Sequence, residues 1–382
     1  MEVERQLYIP EPKPEIGTAT HQITYKLFGS SVCLKADRKE FIDFTDLYFD
    51  RYFERSADMS VDFVVDVNSD AGAFSALWKT LPLNHAISVG EAQLIKLRPN
   101  LEILIQQCSE LQPSLMSLLL IDKERSHVTL MLPGSNPVLR YVPMRLVRLL
   151  ISVLLLRQGR LAFHGACIVK AGVGLCLLGG KRSGKTTTMI NALLNGNYDF
   201  LSNSRIIVER VHGVWRAYGP PIAAGIRVGT LRHFDSLQRL FTNYTELHDD
   251  NHEFSRESLQ HPETRLYVKP QQLAKLLQCS ITPRAPIKCF VVPEISATVR
   301  ESTLVPMPLL EANSRLAKQW LAEMLPEQRY WNDFFGVSSN NDEILSQLAQ
   351  DVRMYRLVQT AGTNAQSLCV LDSLVNSREP RT

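Results

Sequence analysis

Leu175-Cys176-Leu177-Leu178-Gly179-Gly180-Lys181-Arg182-Ser183-Gly184-Lys185-Thr186-Thr187 is the stretch on which the reading of this chain turns. An apolar run of strand character enters a glycine-rich loop, and the residues after it have helical character. Glycines let consecutive backbone N–H groups face one point, and the helix start adds partial positive charge. Lys185 has the reach for β- and γ-phosphates, and the Thr186 hydroxyl suits Mg²⁺. Gly179, Gly180, Lys181, Arg182, Ser183, Gly184, Lys185, Thr186 and Thr187 are therefore the expected nucleotide-binding set. The bland alternative is a glycine-rich turn with an exposed lysine.

Outward from the loop, the pattern predicts strands at 162–169 and 174–178, turning at Ala171-Gly172, and a helix over 186–194 that Asn195-Gly196 stops in the left-handed conformation. A strand at 200–202 follows, then a hairpin of 205–211 and 214–218 turning at His212-Gly213. The polar stretch 246–258 reads as a mobile loop, and 287–292 as an apolar strand. Helices over 309–325 and 343–352, a strand at 355–358 and a helix over 364–375 complete the chain. Upstream, Pro10, Pro12 and Pro14 make 1–20 an extended arm. Strand-like runs at 23–34, 61–67, 91–97, 116–121 and 128–132, with a helical pattern around Phe41, Phe44, Leu47 and Tyr48, make 21–140 a small α+β domain. A helix opened by Pro143 and running to Arg157 begins the larger domain, 141–382.

With 382 residues, 42 Lys+Arg and 39 Asp+Glu, the formal charge is only +3. That is too little for a nucleic-acid or anionic-membrane footprint. Seven scattered cysteines without a C-x-x-C pair argue against a disulfide framework or a zinc site, and a reducing, cytoplasmic compartment fits. The charged start Met1 to Arg5 is unlike a signal peptide. The apolar run 149–156 is far short of the ~20 residues needed to span a bilayer. His248 and His252 have i, i+4 spacing, but the intervening Asp249-Asp250-Asn251 favours a loop over a metal site.

Several further segments resemble the HPr kinase/phosphorylase superfamily, and its kinase-like relatives more closely. They are Phe163-His164-Gly165-Ala166, the phosphate loop, Phe200-Leu201-Ser202-Asn203-Ser204-Arg205, Gly219-Pro220-Pro221 through Gly229-Thr230, Leu273-Ala274-Lys275-Leu276, Arg284-Ala285-Pro286-Ile287-Lys288 and Tyr355-Arg356-Leu357. The resemblance spans roughly residues 140 to 375. It implies an α/β fold, a P-loop kinase-like domain of the HPr kinase/PEP carboxykinase kind after the small domain. It also implies ATP and Mg²⁺ as cofactors, and a hydroxyl of a peptide, protein or small molecule as phosphoryl acceptor. A homo-oligomer stays open.

The family holds an acidic pair just before an arginine, where this chain has Asn203-Ser204 followed by Arg205. Neither side chain is a carboxylate base or a charged metal ligand. By correspondence, His164, Lys185, Ser204 and Arg227 are the expected catalytic set, and Thr186 and Asn203 the expected metal contacts. His164 is a proton acceptor suited to neutral pH, or a structural histidine at a strand start. Glu209, Asp249 and Asp250 are alternative bases. No Leu-Ser-Gly-Gly-Gln, no Asn-Lys-x-Asp and no apolar strand ending in Asp is present, which sets transporter-type ATPases and GTPases aside. Two readings remain: an ATP-dependent kinase, and a nucleotide-binding pseudokinase that recognises a partner without transfer. A simple NTP hydrolase comes behind both.

Overall fold

Phe28 and Gly29 both adopt positive φ, 48° and 84°, and this turn folds the run 23–34 into two antiparallel strands instead of one. The computed structural model describes residues 19–57, 60–90, 92–109, 112–234, 237, 261–296, 298–321, 328–337, 341–360 and 364–377, in mixed α/β structure with several sheets. The expected arm (but for residues 19 and 20) and the whole polar stretch 246–258 with its flanks, His248, Asp249, Asp250 and His252 among them, lie outside the described residues.

In chain order the elements are β1 (His21–Leu27), β2 (Ser30–Ala36), α1 (Lys39–Phe49), β3 (Glu54–Ser56), β4 (Phe63–Asn68), α2 (Ala71–Thr80), β5 (Ile87–Val89), β6 (Ala92–Arg98), β7 (Leu101–Ser109), β8 (Gln112–Asp122), β9 (His127–Met131) and α3 (Tyr141–Arg157). Then come β10 (Leu161–Lys170), β11 (Val173–Leu178), α4 (Lys185–Asn195), β12 (Asp199–Ser202), β13 (Arg205–Val211), β14 (Val214–Tyr218), β15 (Ala224–Arg227), β16 (Arg265–Val268), α5 (Pro270–Leu277) and β17 (Arg284–Ile295). The chain continues with β18 (Thr303–Pro306), α6 (Leu309–Gln319), α7 (Gln328–Phe335), α8 (Asp342–Asp351), β19 (Met354–Gln359) and α9 (Asn364–Asn376).

Two compact units divide the chain, 1–158 with 323–337 and 159–322 with 338–382. The first is a nine-stranded sheet in the order β3-β1-β2-β4-β9-β8-β7-β6-β5. α3 is buried along most of its length, because residues such as Val142, Leu146, Leu149, Val153 and Leu156 leave it no broad polar face. It belongs to this unit rather than opening the second. So does α7, whose Trp331 and Phe335 pack their rings on Phe63, and whose Tyr330 hydroxyl donates to buried Glu102 at 2.7 Å.

The second unit is built around an eight-stranded sheet, β11-β10-β13-β14-β17-β19-β18, with β12 on β10 and β11 also pairing with β17 in parallel. Side chains alternate along β11. Leu175 and Leu177 face a core that includes Met189 and Leu193 of α4 and Leu371 of α9, whereas Cys176 and Leu178 face Phe290, Leu316 and Leu348. Covered on both faces, β11 reads as an unbroken apolar run. The type I′ turns at Ala171-Gly172 and His212-Gly213 follow their positive φ values. The stop after α4 differs from expectation: Gly196 has φ −108°, and Asn197 takes the left-handed conformation at φ 54°. Among the described residues no helix is long and apolar enough to cross a membrane.

Gly165 lies where β10 runs closest to its neighbours. A Cβ there would be 2.7 Å from Leu178 Cδ2, 2.8 Å from the Leu177 carbonyl oxygen and 3.0 Å from Ile206 Cδ1. Backbone at that distance cannot yield cheaply, so Gly165→Ala is expected to destabilise the second unit by about 1–3 kcal/mol, checked by urea unfolding. An unchanged midpoint would show that the strands part more easily than their packing indicates.

Candidate phosphate site

Three parallel strands, β11, β17 and β19, lie side by side, with β11 ending at Leu178, level with Val292, and β17 and β19 running three residues further to Ile295 and Gln359. The carboxyl ends of parallel strands are where α/β folds gather ligands. The loop between β11 and α4 carries positive φ at Gly179 (143°), Arg182 (69°) and Gly184 (100°). A Cβ on Gly179 would meet Ser183 Oγ at 2.7 Å, and one on Gly184 would meet Ile295 Cδ1 at 3.0 Å. The loop therefore needs glycine at both ends. α4 starts without a side-chain cap, so its first-turn N–H groups, those of Lys185, Thr186 and Thr187 among them, are left for a ligand.

Lys185 extends back over the loop and donates to the Gly179 carbonyl at 2.6 Å and the Gly180 carbonyl at 2.8 Å. Burial lowers its pKa to about 8, and carbonyl oxygens rather than a carboxylate hold the ammonium. Ser183 Oγ is buried without a hydrogen-bond partner. Lys181 and Arg182 are exposed, and Thr186 and Thr187 half-buried. The first turn of α4 is tied to the end of β19, where buried Gln359 donates to Thr188 Oγ1 at 2.8 Å and accepts from Ser367 Oγ at 2.8 Å.

Register places the other expected residues. Gly165 on β10 stands opposite Leu178, the last residue before the loop, and its N–H donates to the Ser204 carbonyl at 3.3 Å. The corner Asn203-Ser204 is thus two strand spacings from the loop, about 10 Å. Asn203 is buried, and its Oδ1 has no hydrogen-bond partner. His164 is exposed and pairs across the sheet with Arg205. Its pKa is lowered, first by partial desolvation and then by the charges of Lys185, Arg205 and Arg265, so the ring is neutral at pH 7.

Arg227 ends β15 opposite Arg265 of β16. Its Nε lies 3.4 Å from a Glu263 carboxylate oxygen that also takes a 3.0 Å hydrogen bond from Arg182 of the loop. Those contacts hold Glu263 below the usual carboxylate range, the Arg182 hydrogen bond foremost. The sequence reading passed over Glu263, Arg265 and Gln359. The alternating Arg265-Leu266-Tyr267-Val268 is the signal that marks the strand carrying the second. Glu209 is not in reach: four residues along β13 from Arg205, about 13 Å away, it pairs with Arg160 at 2.7 Å. Among the described residues no group of three His, Cys, Asp or Glu side chains is placed to hold a metal ion.

No family model matches the chain, and no curated protein matches it in sequence. Among solved structures, the Hpr(Ser) kinase/phosphatase from Coxiella burnetii is similar over 56% of this chain and 87% of its own, with 8% identity and a TM-score of 0.27. The chemistry of the site is therefore read from its own geometry.

Glu263 occupies two arginines that a polyphosphate would otherwise engage. Glu263→Gln is expected to tighten pyrophosphate binding about three- to fivefold, measured by calorimetry, since an exposed pair competes only weakly. Equal or weaker binding would exclude that competition. Phosphate contact should also raise the Lys185 pKa from about 8, so binding at pH ~8.5 is expected to take up protons, and Lys185→Ala to abolish the uptake. Calorimetry in buffers of differing ionisation enthalpy reads this directly, and uptake unchanged in the variant would contradict it.

Proposed function

We propose that the second unit binds the phosphates of ATP and transfers the terminal phosphoryl to a hydroxyl of a peptide, protein or small molecule. The observation that carries this reading is the glycine-bounded loop at the uncapped start of α4, with the Lys185 ammonium resting on the Gly179 and Gly180 carbonyls. Phosphoryl transfer needs cations around the moving group and an acceptor for the hydroxyl proton.

The residues present fit a nucleotide. Ser183 Oγ is an unused buried polar atom, the Gly179 and Gly184 cradle has no room for side chains, and Lys185 is held by carbonyls it can exchange for phosphate oxygens. They also fit Mg²⁺ in part. The Thr186 hydroxyl and the unpartnered Asn203 Oδ1 are oxygen donors of the kind a hard cation takes, without a carboxylate. When bound, the ion would offset phosphate charge. Lys185 and the α4 amides hold the phosphates, and Arg182 and Arg227 add positive charge once Glu263 is displaced. The Ser204 hydroxyl hydrogen-bonds the incoming acceptor. A ring nitrogen of His164 takes the acceptor proton as the new O–P bond forms and the bond to the departing ADP breaks.

Asn203-Ser204 in the place of an acidic pair favours a second reading, a nucleotide-binding protein that recognises a partner and transfers little. ATP labelled at the γ-phosphate, incubated with Mg²⁺ and a panel of hydroxyl-bearing peptides and amino acids, separates the two. Transfer by the unmodified chain and none by Lys185→Ala supports the kinase. ATP binding without transfer supports the partner-binding reading, and no binding of ATP, ADP or GTP at millimolar concentration contradicts both.

For the kinase, His164→Gln is expected to lower kcat about 10²-fold while leaving nucleotide affinity within about twofold. The unmodified enzyme should show a kcat/KM that is highest near neutrality and falls on the alkaline side through about pH 8, where free Lys185 loses its proton. That rate should fall as pH drops through a value below the ordinary histidine pKa of ~6.5, because protonation removes the base. A pH profile without that acid limb would remove His164 from the role.

A further inference from the structure

A second site lies in the first unit, at the outer edge of its sheet. β3 is the edge strand, and Arg55 on it stands directly opposite Tyr25 of β1, so the two side chains share a face. The end of α1 covers that face with Asp46, Phe49 and the C-cap Asp50, which fall together at i, i+3 and i+4. With Phe53 these residues line a cavity of about 270 Å³. Tyr25 and Phe49 meet edge to face with centroids 4.9 Å apart, Phe49 and Phe53 likewise at 4.5 Å, and Phe53 lies 6.3 Å from Tyr25. Three mutually adjacent rings thus back the cavity, and two carboxylates stand with them.

The Tyr25 hydroxyl makes this more than an acidic surface patch. Tyr25 is 1% exposed, lines the cavity, and its Oη has no hydrogen-bond partner. A buried polar group without a partner is costly, and one at a cavity wall marks where a ligand atom belongs. Its pKa is raised, by burial first and then by the Asp46 charge, so the group is a neutral phenol beside a carboxylate. Arg55 meets part of the negative charge, 2.7 Å from Asp46 and 4.0 Å from Asp50. The lining holds two carboxylates to one guanidinium, Arg51 beside it lies 3.9 Å from the other Asp50 oxygen on the exposed side, and the C-terminal end of α1 adds partial negative charge.

We propose that this cavity binds a primary ammonium group on a flexible apolar stem, the side chain of a lysine presented by a peptide or protein. An ammonium has three donors and no acceptor. Tyr25 Oη, Asp46 and Asp50 offer three acceptors, and the ring faces of Phe49 and Phe53 favour a cation beside them. A trimethylated ammonium would suit the rings but leave Tyr25 Oη unpartnered, and an acetylated amine would bring no charge to the carboxylates.

The test is calorimetric titration of the full chain with Nα-acetyl-lysine N-methylamide and with its Nε-acetyl and Nε-trimethyl forms. The free ammonium should bind at least about tenfold tighter than either derivative, a difference set by charge in one case and by the unmet hydroxyl in the other. Tyr25→Phe should weaken ammonium binding at least about fivefold and, without ligand, raise Tm by about 2 °C or more, because it deletes an unpaired buried hydroxyl. Binding that ignores acetylation, no binding at about 10 mM, or a Tyr25→Phe variant that loses stability would each overturn the proposal. Asp50→Asn keeps Tyr25 and the Arg55–Asp46 pair intact. It should weaken ammonium binding several-fold with Tm unchanged, and unaltered binding would count against the site.

Discussion

The Lys185 ammonium rests on two loop carbonyls, and the organisation of the second unit follows from keeping it there without a carboxylate partner. A carboxylate salt bridge would hold a buried ammonium more tightly and make it slow to turn to a phosphate. Carbonyl oxygens hold it weakly enough to be exchanged, and burial brings its pKa down to about 8. The loop that offers those carbonyls exists because β11 is pinned by β10 on one side and β17 on the other. α4 is held at its first turn by Gln359 through Thr188. Strand ends, glycine cradle and helix start form one device that points backbone dipoles and one lysine at the same volume.

Several cations of the described residues stand around that device. Lys185, Arg205 and Arg265 all act on His164, and Arg182 and Arg227 share a single carboxylate, Glu263. Burial first, and the charges of Lys185, Arg205 and Arg265 after it, keep the imidazole unprotonated. The corner before Arg205 holds Asn203, buried with an unmet carbonyl oxygen, and Ser204, with no carboxylate in either place. In the proposed transfer, proton acceptance falls to His164, which makes the acid side of the rate profile more informative than the Asn203-Ser204 pair alone.

The sequence made some of this legible and hid the rest for identifiable reasons. The loop and its strand were readable because glycine, lysine and threonine at that spacing answer to backbone geometry, and β11 is apolar on both faces. The hairpin at His212-Gly213 was readable from turn chemistry. That at Phe28-Gly29 was not, since phenylalanine seldom takes positive φ. α3 is apolar nearly all round, so its pattern names a buried helix and not the unit that buries it. α7 returns to the first unit through aromatic packing at a sequence distance no local pattern reports. Glu263 and Arg265 reach the site only through the pairing of β15 with β16.

A crystal structure with a non-hydrolysable ATP analogue and Mg²⁺ tests the central claim most directly. Lys185 Nζ is expected to leave the Gly179 and Gly180 carbonyls and lie at hydrogen-bond distance, about 2.8 Å, from a β- or γ-phosphate oxygen. Analogue bound elsewhere, with Lys185 still on the two carbonyls, would contradict it.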